Sequence, residues 1–140
     1  MPKSKIAMIG AGWWGVEAYV PALLENLDVD FVAVNRRNQG ALDKILAKYD
    51  IARGYTDHRE MLQNEDLDAV VITSPHTLHF EHARDALEAG CHVMIDKPMA
   101  TSAEDARALV KLAKEKGREI LIPYGWNYKD FATTASELIA

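Results

Sequence analysis

The 140 residues suffice for one domain with its own core, and an apolar fraction of 49% with 26% charged residues of both signs excludes a disordered chain. A formal net charge of −5, with no basic tail, argues against a nucleic-acid binder, so anion binding has to come from local arrangement. Cys91 is the single cysteine, which rules out an intramolecular disulfide, and the run "IAMIG" is too short for a signal-peptide core or a membrane span, so a cytoplasmic protein without a membrane partner is expected.

Short apolar runs at residues 5–10, 29–35, 52–55, 68–74, 92–96 and 119–125 read as strands, the third weakly. They are rich in Val and Ile and lack polar alternation, which suits strands covered on both faces, as in a parallel sheet. Segments of helical period lie between them, at 12–26, 39–49, 57–64, 77–89, 102–117 and 129–139. Pro21 should kink the first. The fifth has Thr101 or Ser102 as a cap, Glu104 and Asp105 in its first turn, a stripe of Ala106, Leu109, Val110 and Ala113, and Gly117 as its stop. Alternation of this kind, with right-handed crossovers, gives an α/β fold: a doubly wound parallel sheet in three αβα layers.

Gly10-Ala11-Gly12-Trp13-Trp14-Gly15 matches G-x-G-x-x-G where the first strand ends and the first helix begins. Gly10 permits the tight turn, Gly12 the approach of a pyrophosphate, and Gly15 close packing of helix on strand. Free N–H groups near Gly12, Trp13 and Trp14 would meet the anion. Adjacent indoles cannot share one helix face, so one tryptophan is expected in the core or against a partner and the other in the cofactor cleft.

An acid that grips the adenine ribose is expected about 20 residues beyond the glycines, and that count arrives at Asn35. Asn35 can bond a ribose hydroxyl without repelling a phosphate, and Arg36 and Arg37 add fixed positive charge suited to phosphate oxygens. The reading is NADP over NAD. Two arginines on a loop also make an ordinary solvated face, and an arginine stacked on adenine would serve NAD.

Thr73, Ser74 and Pro75 end the fourth strand at the carboxyl edge, and Asp96-Lys97-Pro98 ends the fifth at the same edge. There Lys97 can hydrogen-bond a substrate hydroxyl and help move its proton, with Asp96 orienting it. His76, His79 and His82 recur every third residue, which rotates them around a helix, so no metal site is expected. His76 is placed at the cleft, His82 in solvent, and His58 and His92 in structural roles.

"GAGWWG", "TSPHTLHFEHARDALEAGCHVMIDKP" and the helix after them resemble, in order and spacing, the N-terminal domain of the Gfo/Idh/MocA oxidoreductases. The resemblance implies a Rossmann domain over residues 1–125, with 126–140 beginning a crossover towards a second, substrate-binding domain that this chain lacks. It also implies that Lys97 contacts substrate and nicotinamide, that the peptide before Pro98 is cis, and that Thr73, Ser74, Pro75 and His79 line the cofactor cleft. Three positions depart from the family pattern: Asp96 stands for Glu, His76 for Asn, and Tyr19 for His.

The function expected is cofactor binding for an NADP-preferring oxidoreductase acting on a sugar, polyol or related alcohol or carbonyl compound. The chain alone should bind cofactor without turnover, and self-association would cover apolar residues such as Leu138 and Ile139. The rival reading is a non-catalytic dinucleotide sensor of the same fold.

Overall fold

β1 (Ser4–Ile9) lies at the centre of a six-stranded, all-parallel sheet in the order β3-β2-β1-β4-β5-β6. The computed structural model describes residues 2–125 and 129–139. The other strands are β2 (Val29–Asn35), β3 (Arg53–Tyr55), β4 (Ala69–Ile72), β5 (His92–Ile95) and β6 (Ile120–Leu121). Alternate residues of β1 supply two cores: Ala7 and Ile9 pack with Ile72, Ile95 and Leu109 on one face, Met8 with Val16, Val34 and Leu42 on the other. The doubly wound three-layer arrangement follows from this, because each face needs its own layer of helices.

The helices are α1 (Trp13–Ala18), α2 (Val20–Glu25), α3 (Gln39–Tyr49), α4 (His58–Asn64), α5 (His79–Glu88), α6 (Ala103–Lys116) and α7 (Asp130–Ile139). Pro21 does more than kink the first. It sits in the opening turn of α2, where its missing N–H costs nothing, and the helix expected over 12–26 is divided at Tyr19. In α6 the Ser102 side chain accepts from the Asp105 amide at 3.0 Å, and Gly117 closes the helix at φ 63°. Its inward stripe runs through Leu109, Leu112 and Ala113; Val110, read as part of it, is exposed.

Other expectations also need correction. The last strand is two residues long, not seven; it lies at the sheet edge, where Pro123 has no N–H to donate. Neither tryptophan enters the core: Trp13 is 76% and Trp14 48% exposed, because Gly15 and Val16 take the buried face of α1. α7 has no buried residue, and Leu138 and Ile139 are exposed, as expected. The expected start of a crossover at 126–128 falls outside the described residues. No helix among the described residues is long and apolar enough to cross a membrane. Cys91 is buried, and burial pushes its thiol up to about 11.

A Cβ on Gly15 would collide with the Thr73 side chain, so α1 lies against the end of β4 only because position 15 has none. Gly15→Ala should therefore cost about 1–3 kcal/mol by overpacking. Urea unfolding measures it, and an unchanged midpoint would show that the helix does not depend on that contact.

Candidate functional site

Parallel strands bring all their carboxyl ends to one edge, and the strand order reverses between β1 and β4, where α/β sheets bind ligands. A cleft of about 390 Å³ opens there. One wall is the loop Gly10-Ala11-Gly12, a second is Asn35 to Arg37, a third is Thr56 to Arg59, and the floor includes Ser74, Pro75 and His82.

Gly10 turns the chain at φ +78°, and a Cβ on it would stand 2.5 Å from the Ser74 Cα. Its carbonyl accepts from Thr73 Oγ1 at 3.1 Å and from the Gly12 amide at 2.6 Å. The Gly12 N–H is therefore not free for an anion, contrary to the expectation. The first-turn amides of Trp13 and Trp14 remain, since no side chain caps α1. Thr73 acts on the loop rather than lining the cleft.

Asn35 is 5% exposed and faces inward. Its Oδ1 accepts from the Gly10 amide at 3.3 Å, its Nδ2 donates to the Tyr55 carbonyl at 3.0 Å, and its own carbonyl accepts from Gly10 and Ala11 at 3.1 and 3.0 Å. This side chain has to accept on one side and donate on the other. An ionised Asp has no donor and would face the Tyr55 carbonyl with charge. The expected bond from Asn35 to a ribose hydroxyl is thus replaced by bonds within the protein. Arg36 is likewise engaged, donating from Nη1 to the Ala11 carbonyl at 2.6 Å. Arg37 is exposed on the cleft wall and has no hydrogen bond or ion pair among the described residues.

The floor holds a polar network that the sequence reading missed. His82, expected in solvent, is buried with Nδ1 2.8 Å from Ser74 Oγ and its ring centroid 4.4 Å from that of His58. His58 Nε2 lies 2.9 Å from Asp85 Oδ2. Burial raises the Asp85 carboxyl, but bonds from Arg84 and His58 and the charge of Arg59 outweigh that and hold it below its ordinary value. His58, Glu81 and Asp85 place potential ligand atoms within 4.8 Å of one another. The Arg59 guanidinium binds both Glu81 and Asp85, however, and supplies the positive charge a metal ion would bring. A signal for the buried histidines was present: 79, 82, 83, 86 and 87 form one inward stripe of α5.

His79, expected to line the cleft, is fully buried, with Nδ1 2.7 Å from the Pro98 carbonyl and Nε2 2.9 Å from the Ser74 carbonyl. His76 is exposed in the 3-10 turn His76–Leu78, outside the cleft lining, edge-on to His79. His92 accepts the Glu119 amide at 3.1 Å and joins β5 to the segment before β6.

Beyond the glycine loop, Lys97 is exposed at the end of β5 and its peptide bond to Pro98 is cis. Asp96 Oδ1 accepts from the Lys97 backbone amide at 3.0 Å and from the Tyr19 hydroxyl at 3.4 Å. Asp96 therefore bears on the lysine through its backbone, not by an ion pair. Burial, then the Asp96 charge, raises the Tyr19 phenol above its ordinary value.

Burial, then the neighbouring His58, pushes His82 from 6.5 down to about 4. Between these values the unfolded chain binds a proton that the folded chain does not, so this stabilisation is complete above the unfolded value and is lost as pH falls towards 4. It amounts to ~3 kcal/mol at most. Urea unfolding from pH 7 to pH 4 should show a shallower loss in His82→Gln than in the wild type; parallel slopes would contradict a buried neutral ring.

The model of an oxidoreductase family described as having an NAD-binding Rossmann fold, GFO_IDH_MocA, matches residues 4–124. The D-glucoside 3-dehydrogenase of Escherichia coli (strain K12) is 32% identical over 134 residues, 96% of this chain and 37% of its own. The 4-carboxy-2-hydroxymuconate-6-semialdehyde dehydrogenase of a Sphingobium species is 36% identical over 114 residues, 81% of this chain and 36% of its own. The Lactobacillus casei scyllo-inositol dehydrogenase with bound NAD(H) and scyllo-inositol superposes with a TM-score of 0.88 at 22% identity, over 98% of this chain and 41% of that one, which shows the shared fold. The chain spans little more than a third of the curated relatives it matches. With its glycine loop at the β1–β4 switch and its Asp-Lys-Pro end on β5, the chain belongs to the Gfo/Idh/MocA oxidoreductase family, of which it carries the NAD-binding Rossmann portion.

Proposed function

We propose that the chain is the cofactor-binding part of an NADP-preferring oxidoreductase acting on a sugar, polyol or related alcohol-carbonyl pair. One juxtaposition carries this reading: Arg37 at the end of β2, unpaired among the described residues, and an exposed Lys97 at the end of β5 flank one glycine loop at one sheet edge. The residues fit a dinucleotide. The nearest atom to a Cβ built on Gly12 is 3.8 Å away, so the backbone is open to approach, and the Trp13 and Trp14 amides point from the helix start. Arg37 is the guanidinium free to meet a 2′-phosphate, because Arg36 holds the Ala11 carbonyl. The relative that is a D-glucoside dehydrogenase supports the substrate class.

Nicotinamide, when bound, supplies the hydride acceptor or donor. Lys97 Nζ gives a proton to the substrate oxygen in reduction and takes it back in oxidation. Asp96 holds the Lys97 backbone, and the buried Ser74–His82 contact holds the cleft floor.

Calorimetric titration tests the cofactor choice. Arg37→Ala should weaken NADP⁺ about tenfold and leave NAD⁺ within about twofold, the size of one charge-assisted contact. Arg36→Ala should weaken both, since the Ala11 carbonyl loses its donor. An unchanged affinity ratio in Arg37→Ala would sink the NADP assignment, and no binding of either nucleotide would sink the whole reading. In a longer protein that contains this chain, Lys97→Met should lower turnover of sugars or polyols by roughly 10²–10⁴ with cofactor binding retained.

A further inference from the structure

We infer that His79 is a positioning residue: its ring braces the loop that carries Lys97 against the end of β4, across the floor of the cleft. His79 opens α5 and is fully buried, with one ring nitrogen 2.7 Å from the Pro98 carbonyl and the other 2.9 Å from the Ser74 carbonyl. Carbonyl oxygens only accept, so both contacts call for a donor on the ring. A neutral imidazole supplies one N–H and the doubly protonated ring supplies two. Neither carbonyl has another donor among the described residues, because both lie just outside the ladder of the sheet.

The two ends of this brace are the functional parts of the edge. Ser74 packs directly under Gly10 of the glycine loop, and its hydroxyl lies 2.8 Å from His82 Nδ1. Pro98 follows Lys97 by a cis peptide. His79 thus fixes the spacing between the phosphate loop and the lysine without touching a ligand. Losing the ring removes the only donor these carbonyls have among the described residues, and the Lys97 end, where Lys97 and Pro98 are exposed, is the freer of the two to move. The part of the inference that concerns cofactor rests on the function proposed above; the brace itself does not.

The test uses this chain with two probes, NADPH and 2′-phospho-ADP-ribose, which lacks the nicotinamide. His79→Leu should weaken NADPH roughly fivefold and leave 2′-phospho-ADP-ribose within about twofold. Amide hydrogen exchange at Lys97 and Met99 should quicken by a similar factor. His79→Gln, whose amide carries two N–H donors, should recover most of both effects. Equal losses for the two probes, or wild-type exchange at Lys97 and Met99 in a folded His79→Leu, would overturn the inference. If His79→Leu does not fold, the wild-type spectrum decides: solvent-protected ring N–H signals with cross-peaks to Pro98 and Ser74 support the brace, and their absence rejects it. If neither nucleotide binds the wild type, the cofactor reading fails and the exchange data alone decide the brace.

Discussion

The contact on which the cleft depends is backbone against backbone: Gly10 at the end of β1 lies on Ser74 beyond β4 with no room for a Cβ between them. This closeness seats the glycine turn over the strand pair at which the sheet order reverses. From there α1 starts at the loop's end, packed on Thr73 because Gly15 also lacks a side chain. Fold and ligand edge are one constraint here, because the separation that lets helix, loop and strand pack is also the one that leaves the loop's outer face open.

A second consequence is how fully the polar groups near the loop are used. Asn35 and Arg36 both serve the glycine loop, one through its amides and the other through the Ala11 carbonyl. An acid is missing at position 35 because the place requires a donor and an acceptor together. Asn35 and Arg36 are thereby committed to shaping the loop, while Arg37, which makes no hydrogen bond or ion pair among the described residues, lines the cleft.

Much of this was legible in the sequence. Short unalternating Val- and Ile-rich runs gave away buried parallel strands, the glycine spacing fixed the loop, and caps such as Ser102 and Gly117 marked the helix ends. What was hidden was the direction of side chains and the contribution of distant segments. Asn35 was placed correctly along the chain and turned the wrong way, because its partner, Tyr55, sits on a strand whose position beside β2 no local pattern reveals. The Thr56–Arg59 wall was missed for the same reason. His82 was read as solvated; the apolar Ala83, Ala86 and Leu87 on the same stripe of α5 already pointed inward.

The histidines show why burial at this edge takes polar residues. Strand ends at the carboxyl edge leave carbonyls and hydroxyls without ladder partners, and an apolar α5 stripe carried up to that height would strand them unpaired. Lower on the helix, Ala83, Ala86 and Leu87 meet the apolar sheet. One turn higher the same stripe meets the Ser74 hydroxyl and the carbonyls of Ser74 and Pro98, and there the residues are His82 and His79. The stripe changes chemistry where the sheet stops, so the boundary between core and site on α5 falls between positions 82 and 83.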